Sequence, residues 1–358
     1  MEKDLKNMTP GELEKLIEEL GQKKYLAGYI FSFIHAKNAD RLDSITTLSK
    51  DLRQKLKDEG YYISQIKIAK KLTDQDGTVK YLFELPDGLA VESVLLKDDE
   101  RLTLCASTQV GCAMCCDFCA TGHIKFKRNL TAAEIADQVN VIEKDRNPHP
   151  SPEIAERRKN RIANIVFMGM GEPLMNYENV LRAVRILNAK GGKNIGIRHL
   201  TISTCGIADK IKMLANETIK PRLAISLNAA DNELRNKIMP VNKKYSLSAL
   251  LNAVRIYQDK TGDRVTFEYV LIKDVNDRDA DARQLSALAK KYKCNINLIE
   301  LNFYPGCEFQ PSTREQIHHF AQILKQSGIE TVIRFKRGTH IKAACGQLGS
   351  EMLNKNSD

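Results

Sequence analysis

The feature that most constrains the fold is the alternation of strand and helix patterns from residue 105 to residue 335. Short runs of branched apolar residues predict strands, and the amphipathic segments between them predict helices. Repeated strand–helix units imply a parallel sheet with right-handed crossovers. The predicted strands cover residues 163–168, 200–203, 223–227, 265–271, 296–301 and 331–335, and the predicted helices cover residues 132–143, 178–188, 230–238, 247–259, 278–292 and 313–328.

Polar and glycine residues stand at the ends of several predicted strands. In a parallel barrel, the active site lies at the edge where the strands end. We therefore predict an α/β fold of the partial (β/α)6, TIM-like barrel type, with a pocket at that edge. A doubly wound open sheet is the alternative, and no GxGxxG fingerprint supports it. The strand-end positions are 169–172, Ser203, Ser226, Asn228 and Asn302.

Three cysteines, Cys112, Cys116 and Cys119, occur in the spacing Cys-x3-Cys-x2-Cys within GCAMCCDFCATG. A [4Fe–4S] cluster normally takes four thiolates. Three ligands leave one iron open, and an open coordination position is typical of a catalytic metal site. Cys115 offers a second register, Cys-x2-Cys-x3-Cys, and zinc is another alternative. The motif favours iron–sulfur, because no second Cys/His pair at short spacing follows it.

The composition is that of a globular enzyme of a reducing compartment. The 358 residues are 42% hydrophobic, which suffices for one large α/β domain and a smaller one. The polar N-terminus lacks a signal-peptide core, and the apolar stretch at 25–34 is too short to span a bilayer. Nine clustered cysteines argue against a disulfide scaffold. We expect a cytoplasmic protein without membrane association.

The formal net charge of +10 favours a polyanionic partner, although many globular proteins without one are also moderately basic. Part of this charge lies on the N-terminal segment, and part clusters near the mouth of the predicted pocket. The N-terminal set comprises Lys23, Lys24, Lys50, Arg53, Lys55 and Lys57, and the second set comprises Lys125, Lys127, Arg128, Lys243, Lys244, Arg334, Lys336 and Arg337. Both sets suit contacts to nucleic-acid phosphates, which position a nucleic acid without reading its sequence.

The chain divides into four predicted segments. Residues 1–66 read as a small helical nucleic-acid-docking domain, or alternatively a solvated helical cap, and residues 67–104 as a β-meander linker with turns at DQDG and LPDG. Residues 105–346 form the barrel core, and residues 347–358 form a C-terminal tail. The proline- and charge-rich stretch 146–161 predicts a mobile surface loop.

Nearly the whole chain is similar to the RlmN/Cfr family of radical S-adenosylmethionine (SAM) RNA methyltransferases. The matching stretches are LCASTQVGC, the cysteine loop, RNLTAAEI, FMGMGEPLMN, ISTCGI, AISLNA, IMPVNKKY, EYVLIKDVND, NLIELN and AACGQL. The resemblance implies a radical SAM barrel that holds a [4Fe–4S] cluster and SAM. It also implies that Cys112, Cys116 and Cys119 are the cluster ligands and that Cys115 is not.

The resemblance further implies a SAM site. Gly171 and Glu172 of GMGEP correspond to a segment along the SAM amino group. Glycine allows close backbone approach, and a carboxylate pairs naturally with an ammonium group. Alone, GMGEP could be only a tight turn. The other SAM contacts that the resemblance implies are Ser203, Ser226, Leu227, Asn228 and Asn302.

The resemblance also implies three catalytic residues. Cys345 resembles the cysteine that is methylated by one SAM and then carries that carbon to the RNA base. Cys105 resembles its resolving partner, which releases the product by forming a disulfide with Cys345. Glu92 matches the proposed proton acceptor. By residue chemistry alone, Cys345 would be a buried packing residue and Glu92 an exposed strand residue. Cys205, Cys294 and Cys307 have no matching role and read as packing thiols.

The implied function is methylation of C2 of an adenosine in 23S rRNA and in tRNA, with two SAM per turnover. The C2 carbon is electrophilic, so a radical route replaces ordinary attack on the SAM methyl. Cfr-like methylation of C8 is the alternative. Pro173 favours C2, because the similar C8 enzymes usually carry alanine there. A non-catalytic RNA-binding or ribosome assembly protein is a third hypothesis, against which Cys105, Cys345 and Glu92 argue. We also expect a monomer that takes electrons from a flavodoxin or ferredoxin.

Overall fold

The computed structural model, which describes residues 3–99, 101–147 and 161–353, is built on one ten-stranded sheet in the order β1-β2-β3-β4-β7-β8-β9-β10-β11-β12. The first four strands pair antiparallel, and the pairs from β4 to β12 are parallel. The strands are β1 (Lys67–Thr73), β2 (Val79–Glu84), β3 (Ala90–Asp98), β4 (Arg101–Cys105), β7 (Ile162–Phe167), β8 (Leu200–Thr204), β9 (Arg222–Ser226), β10 (Val265–Leu271), β11 (Cys294–Glu300) and β12 (Thr331–Arg334). A separate antiparallel ribbon pairs β5 (Gln109–Val110) with β6 (Arg128–Asn129).

In the described chain, three α-helices precede the first strand, and the helices between β4 and β12 follow parallel strands and cover the sheet. They are α1 (Pro10–Glu19), α2 (Tyr25–His35), α3 (Lys50–Asp58), α4 (Ala132–Arg146), α5 (Tyr177–Asn188), α6 (Ala208–Leu214), α7 (Asn232–Ile238), α8 (Leu247–Thr261), α9 (Asp279–Ala289), α10 (Arg314–Gln326) and α11 (Ser350–Leu353). Six strand–helix units run from β4 to α10, and β12 adds a seventh parallel strand. The prediction of a partial (β/α)6 barrel is therefore confirmed.

The helices begin where local capping chemistry allows them to. At α4, Thr131 accepts from the backbone N–H of Glu134, and the Glu134 carboxylate accepts from the backbone of Thr131. This reciprocal capping box satisfies N–H groups that have no partner within the helix. α4 is buried over most of its surface, which indicates that it lies between the sheet and another layer.

That other layer is the N-terminal helical domain, in which a capping box of Thr9 and Glu12 begins α1. Lys6 donates to Asp137 of α4 at 2.7 Å, and each of these side chains is only 3% exposed. Asp137 also accepts from the backbone N–H of Ile66 at 3.0 Å. Removing either charge would leave the other buried and unpaired, so this contact holds the small domain in one orientation on the core.

Some sequence-based boundaries differ from the structure. The predicted linker-to-core boundary at residues 104/105 falls inside β4, which pairs antiparallel with β3 and parallel with β7. The division of the chain into four segments stays a prediction, but β4 belongs both to the predicted linker and to the predicted core. Helix α6, of seven residues, was not predicted from the sequence.

Two further expectations concern the remaining stretches. The loop predicted at 146–161 has its residues 148–160 outside the described part of the chain, and α4 extends through Arg146. In the predicted tail, α11 occupies Ser350–Leu353, whereas residues 354–358 lie outside the described part. Across the described residues, no helix is long and apolar enough to cross a bilayer.

Candidate active site

A cavity of about 170 Å³ lies at the edge where the parallel strands end. The cysteine loop, the loop after β7, the ends of β8 to β11 and the segment before α11 all contribute to its lining. It gathers most of the predicted site residues, namely Cys112, Cys116, Cys119, Gly171, Glu172, Ser203, Ser226, Asn228, Asn302 and Cys345. Cys105, Glu92 and Leu227 are outside this lining.

The cysteine loop is shaped by close backbone approaches. A Cβ on Gly122 would lie 2.7 Å from the carbonyl oxygen of Cys116, so only glycine fits there. The backbone N–H of Cys119 donates to the Cys116 carbonyl at 3.1 Å. Cys115 is exposed, has a positive φ of 51° and lies outside the cavity lining. The loop therefore turns three of its four thiols toward one space.

The thiols of this loop are desolvated. Burial raises the pKa of Cys112 to about 12 and also raises the pKa of Cys116 and Cys119. Such thiols need nearby cationic charge to lose their protons, and iron supplies that charge on binding. No three His, Cys, Asp or Glu side chains in the described ranges converge on a single metal ion. A [4Fe–4S] cluster does not require that convergence, because each cysteine thiolate binds a different iron. The donor set fits an iron–sulfur cluster.

The segment after β7 approaches β5 closely. Gly171 has a φ of 97°, and a Cβ there would lie 2.4 Å from the side chain of Gln109. The next residue, Glu172, accepts from the backbone N–H groups of Leu174 at 2.9 Å and Cys205 at 2.7 Å. Burial raises the pKa of Glu172, while these hydrogen bonds oppose the rise. A carboxylate oriented in this way suits an ammonium group of a ligand.

Two further acceptors in the cavity suit a ligand that donates hydrogen bonds. Asn302 donates its amide to the Cys345 carbonyl at 3.0 Å, which leaves its Oδ1 buried and without a hydrogen-bond partner among the described residues. Glu300 also has one such oxygen, Oε2. Buried acceptors are rarely left unpaired in native proteins. The amino and hydroxyl groups of SAM are donors of the required kind.

Glu268 on β10 is a cavity residue that sequence reasoning missed. Ser203 donates to its Oε2 at 2.5 Å, and Ser226 donates to the same oxygen at 3.3 Å. Burial raises the pKa of Glu268. Since each serine hydroxyl has one hydrogen, both serines can offer only acceptor lone pairs to a ligand while they hold Glu268. The available signal was a charged residue inside an otherwise apolar strand pattern, TFEYVL.

Arg235 on α7 is a second missed residue, and it is fully buried. Its guanidinium donates to the carbonyls of Leu227 at 3.0 Å and Cys205 at 2.6 Å, and to Asn242 Oδ1 at 2.8 Å. It therefore connects the turns after β8 and β9. Leu227 is itself fully buried. Its backbone carbonyl accepts from Arg235, and its backbone N–H donates to the Glu268 carbonyl. The SAM contact of Leu227 stays a prediction.

Replacing Arg235 with methionine is expected to destabilise the protein by about 3 kcal/mol, because two buried carbonyls and one amide lose their donors. Chemical denaturation monitored by circular dichroism measures this change. The matched control is Lys237→Ala on the same helix, whose pair with Glu233 is largely exposed and should contribute less than about 0.5 kcal/mol. Equal stabilities of the two variants would contradict the role of Arg235.

Cys345 and Cys105 are both free thiols, and the two groups interact electrostatically. Burial raises the pKa of Cys105, and the charge of a Cys345 thiolate raises it further. The pKa of Cys345 is raised by desolvation and then by the negative charge of Glu268. Cys105 ends β4 and is buried, whereas Cys345 lines the cavity. The fold thus brings together two thiols that are 240 residues apart in the chain.

Glu92 is buried, in contrast to an ordinary exposed strand residue. Its carboxylate pairs with Lys80 at 3.1 Å and accepts from the backbone N–H of Gly349 at 2.7 Å. The Lys80 side chain is equally inaccessible, at 3% exposure. Glu92 therefore contacts the segment that follows Cys345, although it does not line the cavity.

Five of the eight basic residues predicted near the pocket fall into two groups. Arg128 pairs with Asp87 and Glu134, Lys336 pairs with Glu300, and Arg337 pairs with Asp98. These three charges are already partly neutralised within the protein. Lys125 and Lys127 are exposed and have no ion pair within the described ranges. They are better placed to meet phosphates.

Comparison with known proteins gives consistent matches. A family model for the Radical SAM superfamily matches residues 106–285, and one for the ribosomal RNA large subunit methyltransferase N-terminal domain matches residues 3–61. A probable dual-specificity RNA methyltransferase RlmN of Thermotoga maritima is 45% identical over 357 residues, covering 99% of this chain and 100% of that protein. Its counterpart in Alkaliphilus oremlandii is 46% identical over 355 residues, covering 99% of each. The crystal structure of a radical SAM methyltransferase from Sphaerobacter thermophilus superimposes with a TM-score of 0.89 at 40% identity, covering 97% of this chain and 99% of that one.

Proposed function

We propose, since this chain belongs to the RlmN family of radical SAM RNA methyltransferases, that it methylates C2 of an adenosine in 23S rRNA and in tRNA. The observation that carries the proposal is the cavity, in which the cysteine loop, Glu172 and Cys345 face one space. We further propose that the protein acts as a cytoplasmic monomer and receives electrons from a flavodoxin or ferredoxin.

Membership of the radical SAM superfamily implies a [4Fe–4S] cluster and SAM. When bound, they supply the methyl groups and the one-electron chemistry. Three desolvated thiols would hold the cluster, which leaves one iron for SAM. The residues that would hold SAM offer it hydrogen-bond acceptors, and glycine lets the backbone approach it closely. The proposed cluster ligands are Cys112, Cys116 and Cys119, and the proposed SAM contacts are Gly171, Glu172, Ser203, Ser226, Leu227, Asn228 and Asn302.

Cys345 would carry the carbon that reaches the RNA, in a turnover that uses two SAM. Its place in the cavity, with its carbonyl held by Asn302, supports this role. Product release then requires the bond between Cys345 Sγ and that carbon to break. The Cys105 thiol would give up its proton and attack Cys345 Sγ to form a disulfide, while the electron pair of the broken bond stays with the RNA, which takes up a proton. The electrostatic interaction between the two thiols supports this exchange.

Glu92 would accept the proton that leaves the adenine ring. Its carboxylate lies 3.1 Å from the Lys80 ammonium group, and a carboxylate is a side chain that can act as a general base. Its contact with Gly349 links it to the segment that carries Cys345. To reach the adenine ring, the Glu92 carboxylate must give up its contact with Lys80 or with Gly349. The assignment of Glu92 as proton acceptor rests on the family resemblance.

Nucleoside mass spectrometry tests the function directly. Ribosomal RNA and tRNA are isolated from a strain lacking this chain's gene, with and without a plasmid that restores it. We expect 2-methyladenosine to disappear from both RNAs in the deletion strain and to return with the plasmid. Appearance of 8-methyladenosine instead would establish the C8 alternative. No change in either nucleoside would favour the non-catalytic RNA-binding hypothesis, and a change in one RNA alone would contradict dual specificity.

A further inference from the structure

The segment after β11 exposes an aromatic ring between two inaccessible residues. Phe303 is 54% exposed, whereas Asn302 and Tyr304 are 5% and 2% exposed. A single exposed apolar side chain is common on protein surfaces and needs no explanation by itself. The Phe303 ring differs from such isolated residues, because hydrogen bonds hold the backbone around it next to the Cys345 segment.

Three hydrogen bonds hold this segment. Gln347 donates to the Phe303 carbonyl at 2.6 Å, and Asn302 donates to the Cys345 carbonyl at 3.0 Å. The Tyr304 hydroxyl donates to the Asp117 carbonyl at 3.0 Å. The two inward neighbours therefore bind the Cys345 segment and the cysteine loop. The ring of Phe303 stays outward at the cavity rim unless these bonds break.

A second exposed aromatic, Phe126, lies on the segment that follows the cysteine loop. The Tyr304 ring is 6.0 Å from the ring of His123, which ends the short 3-10 helix of the cysteine loop. Beyond His123, the chain exposes Lys125, Phe126 and Lys127 in succession. Phe126 is 36% exposed. We call Lys125, Phe126, Lys127 and Phe303 the rim surface.

The chemistry of the rim surface is that of a single-stranded nucleic acid site. Aromatic faces stack on unpaired bases, and nearby lysines meet the backbone phosphates. The two lysines have no ion pair in the part of the chain that the structure describes, and the chain as a whole carries a net charge of +10. A protein partner of ordinary affinity would need a larger buried apolar area than two separate rings provide.

We propose that Phe303 stacks on the unpaired nucleotide next to the adenosine that Cys345 modifies, and that Lys125 and Lys127 hold the adjoining phosphates. This inference rests on the proposed function, because it takes the substrate to be RNA. Phe303 itself does not line the cavity, so the neighbouring nucleotide is its partner and the target base is left free to enter. Phe303 is an RNA-contacting residue, not a catalytic one.

The test uses the cluster-loaded full chain and the shortest 23S rRNA fragment that the wild type methylates. Phe303→Ala should raise both the Kd and the KM for this RNA by about five- to a hundredfold, with a smaller change in kcat. Phe303→Trp should bind within about threefold of the wild type, since it keeps a stacking face, whereas Phe303→Leu should stay weak. The matched control is Met213→Ala, an exposed apolar residue of α6 on the helical layer.

Salt dependence separates stacking from charge. The slope of log Kd against log salt should be unchanged in Phe303→Ala, because no phosphate contact is lost. The same slope should fall by about one to two in the double variant Lys125→Ala/Lys127→Ala. A merely structural role of Phe303 would instead lower thermal stability, and Phe303→Leu would then restore binding as well as Phe303→Trp does.

The outcomes are distinguishable from failure of the proposed function. If the wild type methylates the fragment and Phe303→Ala binds it equally well, this inference is overturned while the function stands. Equal rescue by leucine and tryptophan also overturns it. If the wild type neither binds nor methylates RNA, the proposed function fails, and this inference fails with it.

Discussion

Cys345→Ala is expected to abolish RNA methylation, lowering turnover by more than about a thousandfold, because the sulfur that carries the transferred carbon is removed. The effect should be confined to chemistry. Asn302 contacts the backbone carbonyl of Cys345, which alanine retains. Iron content and SAM binding should therefore remain close to those of the wild type. Transfer of radioactivity from methyl-labelled SAM to RNA measures the loss.

The matched control for this variant is Cys294→Ala. Cys294 begins β11, donates to the Ala289 carbonyl at 3.4 Å and lies outside the cavity. Its loss should leave methylation within about twofold of the wild type, as for other substitutions away from the site. A Cys345→Ala protein that still methylates RNA would rule out the methyl-carrier mechanism, whatever the control shows.

Cys105→Ala is expected to have the second large effect, which is accumulation of a covalent protein–RNA adduct. The carbon can still pass from Cys345 to the base, but the thiol that would attack Cys345 Sγ is gone. The adduct should appear as a protein band that migrates slowly in denaturing gels and returns to its normal position after nuclease treatment. Steady-state product formation should fall at the same time.

Two controls define this result. The double variant Cys105→Ala/Cys345→Ala should give no adduct, because the attachment point is missing. Cys205→Ala tests whether any buried cysteine near the cavity has the same effect, and we expect it to form no adduct. Continued product release by Cys105→Ala without an adduct would show that Cys105 is not the resolving thiol.

Sequence patterns predicted the elements whose signals are local. The alternation of strands and helices was confirmed from β7 to β12, and local capping boxes begin α1 at Thr9 and α4 at Thr131. These features depend on residues close together in the chain, such as capping side chains and apolar periodicity. Boundaries were less certain where an element serves two neighbours, as β4 does.

The residues missed from the sequence act through partners distant in the chain. Glu268 and Arg235 carry no motif, and their roles depend on serines and carbonyls that only the sheet brings within reach. Glu92 was singled out by resemblance, but its pairing with Lys80 requires β2 and β3 to lie side by side.

The sequence by itself determined the fold class, the family and the set of thiols available for chemistry. Only the tertiary structure decided which groups meet. It brings Cys105 within electrostatic reach of Cys345, lets three loop cysteines face one cavity, and leaves Phe303 exposed. The physical reason is that hydrogen bonding and apolar periodicity act over a few residues, whereas burial and electrostatic coupling depend on distances that only the packed chain defines.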